Sequence, residues 1–172
     1  SILFLVNQYF ALSFSSSMKN VMDFRELTGS ETVIMSKIES LKGLMNLDEI
    51  IKVSDEILID RGDLSREVQI EKIPFLQRNI IAHAKSLNTP VYVATNLLES
   101  MIAFNEPNRA EVNDIISTLQ MGADGLVLAG ETAVGKYPLE CVRMIRRLIE
   151  QYNKWTPNSR IDDILNTLPL AT

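Results

Sequence analysis

The chain alternates short apolar runs with longer amphipathic segments, and this alternation limits its fold more than any other feature. The apolar runs are rich in β-branched or bulky residues, as buried strands are, and each is followed by a stretch with helical periodicity. The predicted strands are residues 10–14, 32–36, 56–59, 91–94 and 125–128, and the clearest predicted helices are residues 44–53, 70–87, 109–121 and 138–152. A repeated strand and helix order predicts right-handed βαβ units and a parallel sheet covered by helices. The fold class is therefore α/β.

About five βα units are visible, whereas a closed (β/α)₈ barrel has eight strands in about 250 residues. The pattern leaves two architectures open, an open doubly wound sheet or a partial barrel without its first strands. We expect one α/β domain at residues 1–155, followed by a linker and a short helix at 156–172. Residues 1–6 are apolar and read as a buried strand or a helix remnant, since they are too few to span a bilayer and follow no basic leader.

Two compositional features narrow the function. There are 17 basic and 22 acidic side chains, giving a net charge of −5, which argues against nucleic acid or an anionic membrane as a partner. The single cysteine, Cys141, lies in an apolar helical pattern, so we expect a core residue and a reducing, cytoplasmic location. In the same predicted helix, we expect one apolar face, formed by Leu139, Val142, Ile145, Leu148 and Ile149.

Polar residues follow four of the predicted strands, where the working residues of parallel α/β proteins are found. These residues are Lys37 and Glu39, then Arg61, Gly62 and Asp63, then Thr95 and Glu99, then Gly130, Glu131 and Thr132. Glu39 and Asp63 are suited to Mg²⁺ or Mn²⁺, although they could instead pair with Lys37, Arg61 or a helix terminus. Zinc is disfavoured because the only histidine, His83, lies in the middle of a predicted helix.

Three of these positions, Lys37, the Gly62-Asp63 pair and Thr95, have both a functional and a structural interpretation. Lys37 could stabilise a phosphoryl group in transfer or form a salt bridge. The backbone amides near Gly62 and Asp63 could bind a carboxylate or phosphate, although a lone Gly-Asp pair normally indicates a turn. Thr95 could donate a proton, although capping of the next helix is the default role of a lone threonine.

A series of motifs resembles the successive motifs of pyruvate kinase, in the same order and at similar spacing. They are Ser36-Lys37-Ile38-Glu39, Arg61-Gly62-Asp63-Leu64, Glu71-Lys72-Ile73-Pro74, Ala94-Thr95-Asn96-Leu97-Leu98-Glu99-Ser100-Met101, Asn108-Arg109-Ala110-Glu111-Val112, Gly130-Glu131-Thr132-Ala133 and Gly135-Lys136-Tyr137-Pro138-Leu139-Glu140. The resemblance implies the second half of the catalytic (β/α)₈ barrel, with the first strands and the lid domain absent. It thereby favours the partial barrel over the open sheet.

The resemblance also implies roles in phosphoryl transfer from phosphoenolpyruvate to ADP. Lys37 corresponds to the lysine that stabilises the transferring phosphoryl group, and Glu39 and Asp63 to the ligands of Mg²⁺ or Mn²⁺. The backbone of residues 61–63 and the Thr95 hydroxyl correspond to the cradle for the substrate carboxylate, with Thr95 near the carbon that is protonated. The family's K⁺ and nucleotide ligands belong to its earlier strands, so ADP or ATP binding requires a complementing segment.

Several residues depart from the family's pattern. Ala129 stands where a serine that helps to relay the proton is usual, and Asp60 replaces a small residue beside the metal and substrate. Two other functions therefore remain open: a non-catalytic binding or regulatory protein, and a metal-dependent enzyme of pyruvate or phosphoenolpyruvate that uses no nucleotide. Exposed strand edges further predict self-association or a partner chain. Residues 108–114 resemble a region near subunit contacts in the family, which makes them a candidate contact, although an ordinary barrel helix with its cap explains them equally well.

Overall fold

The structure, a computed structural model, describes residues 9–165 and contains five β-strands in that range. They are β1 (Tyr9–Leu12), β2 (Val33–Ile38), β3 (Glu56–Asp60), β4 (Val91–Ala94) and β5 (Gly125–Val127). Every strand boundary lies within two residues of the corresponding predicted run. The predicted strand or helix remnant at residues 1–6 lies outside the described residues, as do residues 166–172 of the predicted terminal segment.

The strands form one parallel sheet in the order β1-β2-β3-β4-β5, so spatial order follows chain order. The register places Lys37 beside Leu58, and Leu58 beside Tyr92. A doubly wound sheet reverses its strand order at a switch point, whereas consecutive strands of a barrel do not. The described strands are therefore arranged as successive strands of a barrel, with β1 and β5 at the two edges of this part of the chain.

Helices connect and cover the strands. They are α1 (Met18–Thr28), α2 (Leu41–Met45), α3 (Leu47–Val53), α4 (Arg61–Glu67), α5 (Ile73–Ser86), α6 (Arg109–Gln120), α7 (Gly130–Ala133), α8 (Pro138–Lys154) and α9 (Ile161–Leu165), with 3₁₀ turns at Ile70–Lys72 and Glu99–Ile102. None of the helices within residues 9–165 has the length and apolar character needed to cross a membrane. The expected domain boundary at residue 155 remains a prediction.

Two predicted helices are divided in the structure, for local reasons. The segment predicted at 44–53 becomes α2 and α3, because Asn46 between them has φ −109° and ψ 20°, outside the helical region. The segment predicted at 70–87 begins with a 3₁₀ turn and becomes α-helical from Ile73. Pro74 lies in the first turn of α5, where its missing N–H costs no hydrogen bond.

The apolar core has two main parts on the helix-covered side of the sheet. In the first, isoleucines and valines from β2, β3 and β4 pack against α1, α3 and α5; Ile34, Ile57 and Ile80 are almost completely buried. In the second, residues 97–101 pack against α6 and α8 around the buried Cys141. Burial raises the pKa of the Cys141 thiol, as do nearby carboxylates, so this thiol is a poor nucleophile at neutral pH.

The apolar face predicted for α8 is partly wrong. Ile145, Leu148 and Ile149 pack in the second core cluster as expected, but Leu139 and Val142 are 54% and 51% exposed. The buried side of the helix instead passes through Cys141, which lies seven residues before Leu148 and therefore two turns away on the same side. The two misassigned residues lie in the first two turns, where the helix leaves an apolar strip uncovered.

Candidate active site

The polar residues singled out in the sequence lie at one end of the sheet. Lys37 is the penultimate residue of β2, and Glu39 directly follows that strand; Asp60 is the last residue of β3, and Thr95 directly follows β4. Because the strands are parallel, their carboxyl ends meet at one rim, so residues distant in sequence become neighbours. The structure thus brings Lys37, Glu39, Asp63 and Thr95 to the same end of the sheet.

The Lys37 ammonium lies between two carboxylates. Its Nζ atom is 2.7 Å from Glu39 Oε2 and 3.0 Å from Asp60 Oδ2. Burial alone would lower the pKa of Lys37, but contacts with the two carboxylates outweigh it and raise that pKa above its ordinary value of 10.5. Lys37 is therefore charged at neutral pH and forms the salt bridges that one of its two interpretations predicts, whereas its action on a phosphoryl group stays a prediction.

Glu39 is a buried carboxylate whose two oxygens have different surroundings. The residue is 1% exposed, and Oε1 accepts a 2.5 Å hydrogen bond from the backbone N–H of Phe14. Oε2 has no hydrogen-bond partner among the described residues, and its close contact is the ion pair with Lys37. A buried carboxylate oxygen without a hydrogen-bond donor is stabilised chiefly by nearby cations, so Oε2 of Glu39 is well placed to bind a metal cation.

Asp60 completes a group of three carboxylates with Glu39 and Asp63. One oxygen from each residue lies within 4.8 Å of the others, with Asp60 only 7% exposed. Oxygen donors in this number are typical of sites for hard divalent cations. Asp63 also pairs with Arg66 at 3.1 Å, an exposed contact that solvent screens. The residues present therefore fit a magnesium or manganese ion.

The carboxylate of Asp60 also organises the start of α4. Its Oδ1 atom accepts a hydrogen bond from the Asp63 N–H at 3.4 Å, as an N-cap residue does. The Thr95 hydroxyl lies 3.3 Å from the same atom and 2.6 Å from the Ala94 carbonyl oxygen, and these two acceptors share its one proton. The turn expected at Gly62 and Asp63 is thus the first turn of a short helix. Asp60 makes direct contacts with Lys37, Asp63 and Thr95 at once.

Thr95 adopts an unusual backbone conformation beside Gly62. Its φ of 70° is in the left-handed region, where β-branched residues are rare, and Asn96 follows at φ 54°. The Gly62 N–H donates to Thr95 Oγ1 at 2.7 Å, and a Cβ at residue 62 would lie 3.3 Å from that oxygen. No helix begins at Thr95, so its hydroxyl holds the β3 and β4 loops together rather than capping a helix.

The side chain of Arg61 points to the outer side of the strained turn. It donates to the backbone carbonyls of Thr95 at 2.7 Å and Asn96 at 3.1 Å, and it pairs with Asp114 on α6 at 2.7 Å. It is the backbone N–H groups of Gly62 and Asp63 that donate to Thr95 Oγ1 and Asp60. Arg61 therefore fixes the position of Thr95, a role that strand and helix patterns do not indicate.

Glu131 is a structural residue that the sequence pattern did not separate from its half-buried neighbours Gly130 and Thr132. It is 2% exposed, and its carboxylate accepts hydrogen bonds from the backbone N–H groups of Leu98 at 3.0 Å and Ala129 at 2.9 Å. Burial raises the pKa of Glu131, but the backbone hydrogen bonds outweigh it, so the pKa lies below its ordinary value. Its carboxylate closes one wall of a cleft of about 260 Å³ that Gly62, Thr95 and Ala129 also line.

Comparisons with known proteins agree on one family. The family model "Pyruvate kinase, barrel domain" matches residues 5–142. The chain is 45% identical over 150 residues to pyruvate kinase of Thermotoga maritima, covering 86% of this chain and 32% of that protein. It is 40% identical over 166 residues to the chloroplastic pyruvate kinase isozyme G of Ricinus communis, covering 95% of this chain and 38% of that one.

A comparison of structures gives the same result. A crystal structure of a pyruvate kinase from Cryptosporidium parvum superposes with a TM-score of 0.84 at 35% identity, covering 90% of this chain and 34% of the other. The described sheet therefore corresponds to part of a barrel domain. The chain spans about a third of the length of these relatives.

Proposed function

The chain belongs to the pyruvate kinase family, and we propose that it carries the phosphoryl-transfer half of a pyruvate kinase site. In this proposal, phosphoenolpyruvate donates its phosphoryl group to ADP, giving pyruvate and ATP, within a longer protein or a complemented assembly. The observation that carries the proposal is the position of the Lys37 ammonium, 2.7 and 3.0 Å from two buried carboxylates at the strand ends. A fixed cation beside carboxylate ligands is suited to stabilising the charge of a phosphoryl group in transfer.

The first step depends on Lys37, Glu39 and Asp63. Glu39 and Asp63 would hold Mg²⁺ or Mn²⁺, which supplies Lewis-acid stabilisation of substrate oxygens when bound. The ammonium of Lys37 binds and orients the phosphoryl oxygens and neutralises charge as the bond to phosphorus breaks. The pyruvate kinase family generally uses K⁺ as well, and we expect the ligands of that ion to come from the earlier strands of the barrel.

The second step converts enolpyruvate to pyruvate and requires a proton. The backbone of Arg61, Gly62 and Asp63 and the Thr95 hydroxyl would orient the substrate carboxylate, with Thr95 placed near the carbon that receives the proton. The Gly62 and Asp63 amides donate to Thr95 and Asp60 in this structure, so substrate must exchange with those partners. Ala129 offers no hydroxyl at the edge of the same cleft, so proton delivery is the step that we expect to be slower.

Calorimetry with an assay of pyruvate in the same sample tests the proposal. Phosphoenolpyruvate and ADP are titrated separately into the chain in Mg²⁺ and K⁺. Binding of phosphoenolpyruvate alone supports a preserved half-site that needs a partner, and binding of both with pyruvate formed supports a working kinase. If the chain binds neither compound, with or without the rest of the protein, the proposal is wrong.

A Lys37→Met variant tests the role of the ammonium, because it nearly preserves volume and removes the charge. In an assembly that transfers phosphoryl groups, we expect transfer to fall by a factor of about 10²–10³. Lys19→Met is a matched control, since Lys19 is an exposed lysine paired with Asp23 on α1. Transfer that survives Lys37→Met at the level of the control would contradict the proposed mechanism.

A non-catalytic binding protein is the second candidate, and Ala129 and Asp60 favour it. The same titrations separate the two functions, because a binding protein would bind phosphoenolpyruvate but form no pyruvate in any assembly.

A third candidate, a metal-dependent enzyme acting on an enolate without nucleotide, would turn over pyruvate or phosphoenolpyruvate with ADP omitted. The buried, unpaired Cys141 is suited to a reducing compartment such as the cytoplasm.

A further inference from the structure

Asp60 contacts the same hydrogen-bond donors that the proposed function assigns to substrate binding. Its Oδ2 atom is 3.0 Å from the Lys37 ammonium, and its Oδ1 atom accepts from the Asp63 N–H and the Thr95 hydroxyl. These are the donors assigned above to the phosphoryl group and the carboxylate of phosphoenolpyruvate. A carboxylate of the protein thus occupies the donors that a substrate anion needs.

The Lys37 ammonium lies between Glu39 and Asp60, and it contacts the carboxylate oxygens that a divalent cation would use as ligands. The ammonium contacts Oε2 of Glu39 and Oδ2 of Asp60, and Oε2 has no hydrogen-bond partner among the described residues. With Asp63 close by, three carboxylates face one ammonium, so the group is negatively charged as it stands. A negative site attracts a divalent cation and repels a trivalent anion.

We propose that Asp60 makes anion binding at this site conditional on prior binding of a divalent cation. Before the cation binds, Asp60 and Glu39 share the Lys37 ammonium, which leaves at most one of its three N–H donors for an anion. The cation competes with the ammonium for the same carboxylate oxygens, with Asp60 as a third ligand beside Glu39 and Asp63. Lys37 is then released toward substrate. The inference rests on the proposed function, because it takes phosphoenolpyruvate as the anion.

An Asp60→Asn variant tests this order of binding in the absence of turnover. Asparagine caps helices as well as aspartate does, so α4 keeps its start while the charge is lost. Two dissociation constants are measured by calorimetry: that of Mn²⁺ with no anion, and that of phosphoenolpyruvate with no divalent cation. Asp23→Asn on α1, an exposed residue that pairs with Lys19, is the control for the change in net charge.

We expect Asp60→Asn to weaken Mn²⁺ binding about tenfold or more and to tighten metal-free binding of phosphoenolpyruvate by about fivefold or more, with the control unchanged. If Asp60 binds Mn²⁺ and competes with phosphoenolpyruvate, its replacement weakens the first interaction and tightens the second. If Asp60 has only a structural role, its replacement weakens both interactions. Unchanged constants, or weakening of both, would overturn the inference.

Two other outcomes are possible: the Asp60→Asn variant does not fold, or no form of the chain binds phosphoenolpyruvate. If Asp60→Asn does not fold, Lys37→Met is expected to tighten Mn²⁺ binding because the competing ammonium is gone, and unchanged Mn²⁺ affinity would overturn the inference. If no form binds phosphoenolpyruvate even with Mn²⁺, the proposed function fails and conditional anion binding fails with it. The Mn²⁺ titration then still decides whether Asp60 is a ligand, so the two failures are distinguishable.

Discussion

Thr95 combines a strained backbone with a hydroxyl that accepts the Gly62 N–H. Thr95→Ser keeps the hydroxyl and removes the β-branch that makes φ 70° costly, whereas Thr95→Val keeps the branch and removes the hydroxyl. We expect the serine variant to be as stable as the parent or more stable. The valine variant should lose about 1–3 kcal/mol of unfolding free energy, because the Gly62 donor loses its acceptor.

Urea unfolding of the two variants beside the parent measures these differences. The valine variant also shows whether the hydroxyl supports ligand binding, since the bond to Gly62 joins the loops after β3 and β4. If serine and valine change stability equally, the strain and the hydrogen bond are not the terms that govern this turn.

At single positions, sequence reasoning found the charged residues and the Lys37–Glu39 pair, but not the partners that come from other loops. Lys37 and Glu39 are two residues apart beside a strand end, so their placement on the same side follows from strand geometry. Arg61 and Glu131 could not be interpreted in this way, because the strained turn and the backbone amides that they bind come from other loops. Asp60 was noticed as an added charge, but its simultaneous contact with Lys37 and Thr95 required the fold.

At the opposite end of the sheet, an aspartate just before a strand makes the same two kinds of contact in two places. Asp55, just before β3, accepts from Ile34 N–H of β2 and pairs with Arg25 at 2.8 Å. Asp124, just before β5, accepts from Val91 N–H of β4 and pairs with Lys85 at 2.8 Å. Burial would raise the pKa of both carboxyls, but the basic partners and backbone donors lower both below 3.8.

Stability should therefore depend on pH through these aspartates. Because the folded-state pKa of Asp124 is lowered, its contribution is complete at neutral pH and is lost as pH falls below 3.8. Asp124→Asn should lower the unfolding free energy at pH 7 by roughly 1 kcal/mol, a modest value because solvent screens the pair. The difference from the parent should shrink as pH falls through that range.

Thermal unfolding between pH 2.5 and 7 measures the effect, with Asp23→Asn as a control that changes net charge equally at an exposed ion pair. A difference between Asp124→Asn and the parent that stays constant with pH would contradict the assignment to this carboxyl.

Strands were easier to predict than helices. The central strands β2, β3 and β4 are buried by their own β-branched residues, so their pattern is local, and all five strand positions were predicted. The helix breaks at Asn46 and before Ile73 depend on local backbone conformation, which periodicity does not report. The wrong assignment of Leu139 and Val142 arose because the pattern alone does not show which side of α8 meets α6. Periodicity gives the existence of a helix, and neighbouring elements decide its orientation.

Across the whole molecule, the described sheet has two unpaired edges, β1 and β5. Apolar side chains lie near the first edge, with Tyr9 50% and Phe14 59% exposed. We expect the chain to associate with itself or with a partner chain, because an open parallel edge offers backbone donors and acceptors to another strand. Sedimentation velocity should show a species larger than a 19.4 kDa monomer.

A charge on the edge strand tests this expectation. Ala11→Lys in β1 should shift the distribution toward the monomer, whereas Ala82→Lys, on the exposed side of α5, should not. A parent chain that sediments as a stable monomer over a wide concentration range would contradict the expectation.

The sequential strand order also bears on how the protein is made. Each described strand pairs only with its neighbours in the chain, so the sheet can grow by one strand at a time as the polypeptide leaves the ribosome. The Lys37 and Asp60 contact forms when β3 docks on β2, and the Thr95 contact follows when β4 is added. The residues of the charged centre, on β2, β3 and the loop after β4, can thus come together before β5 and α8 have left the ribosome.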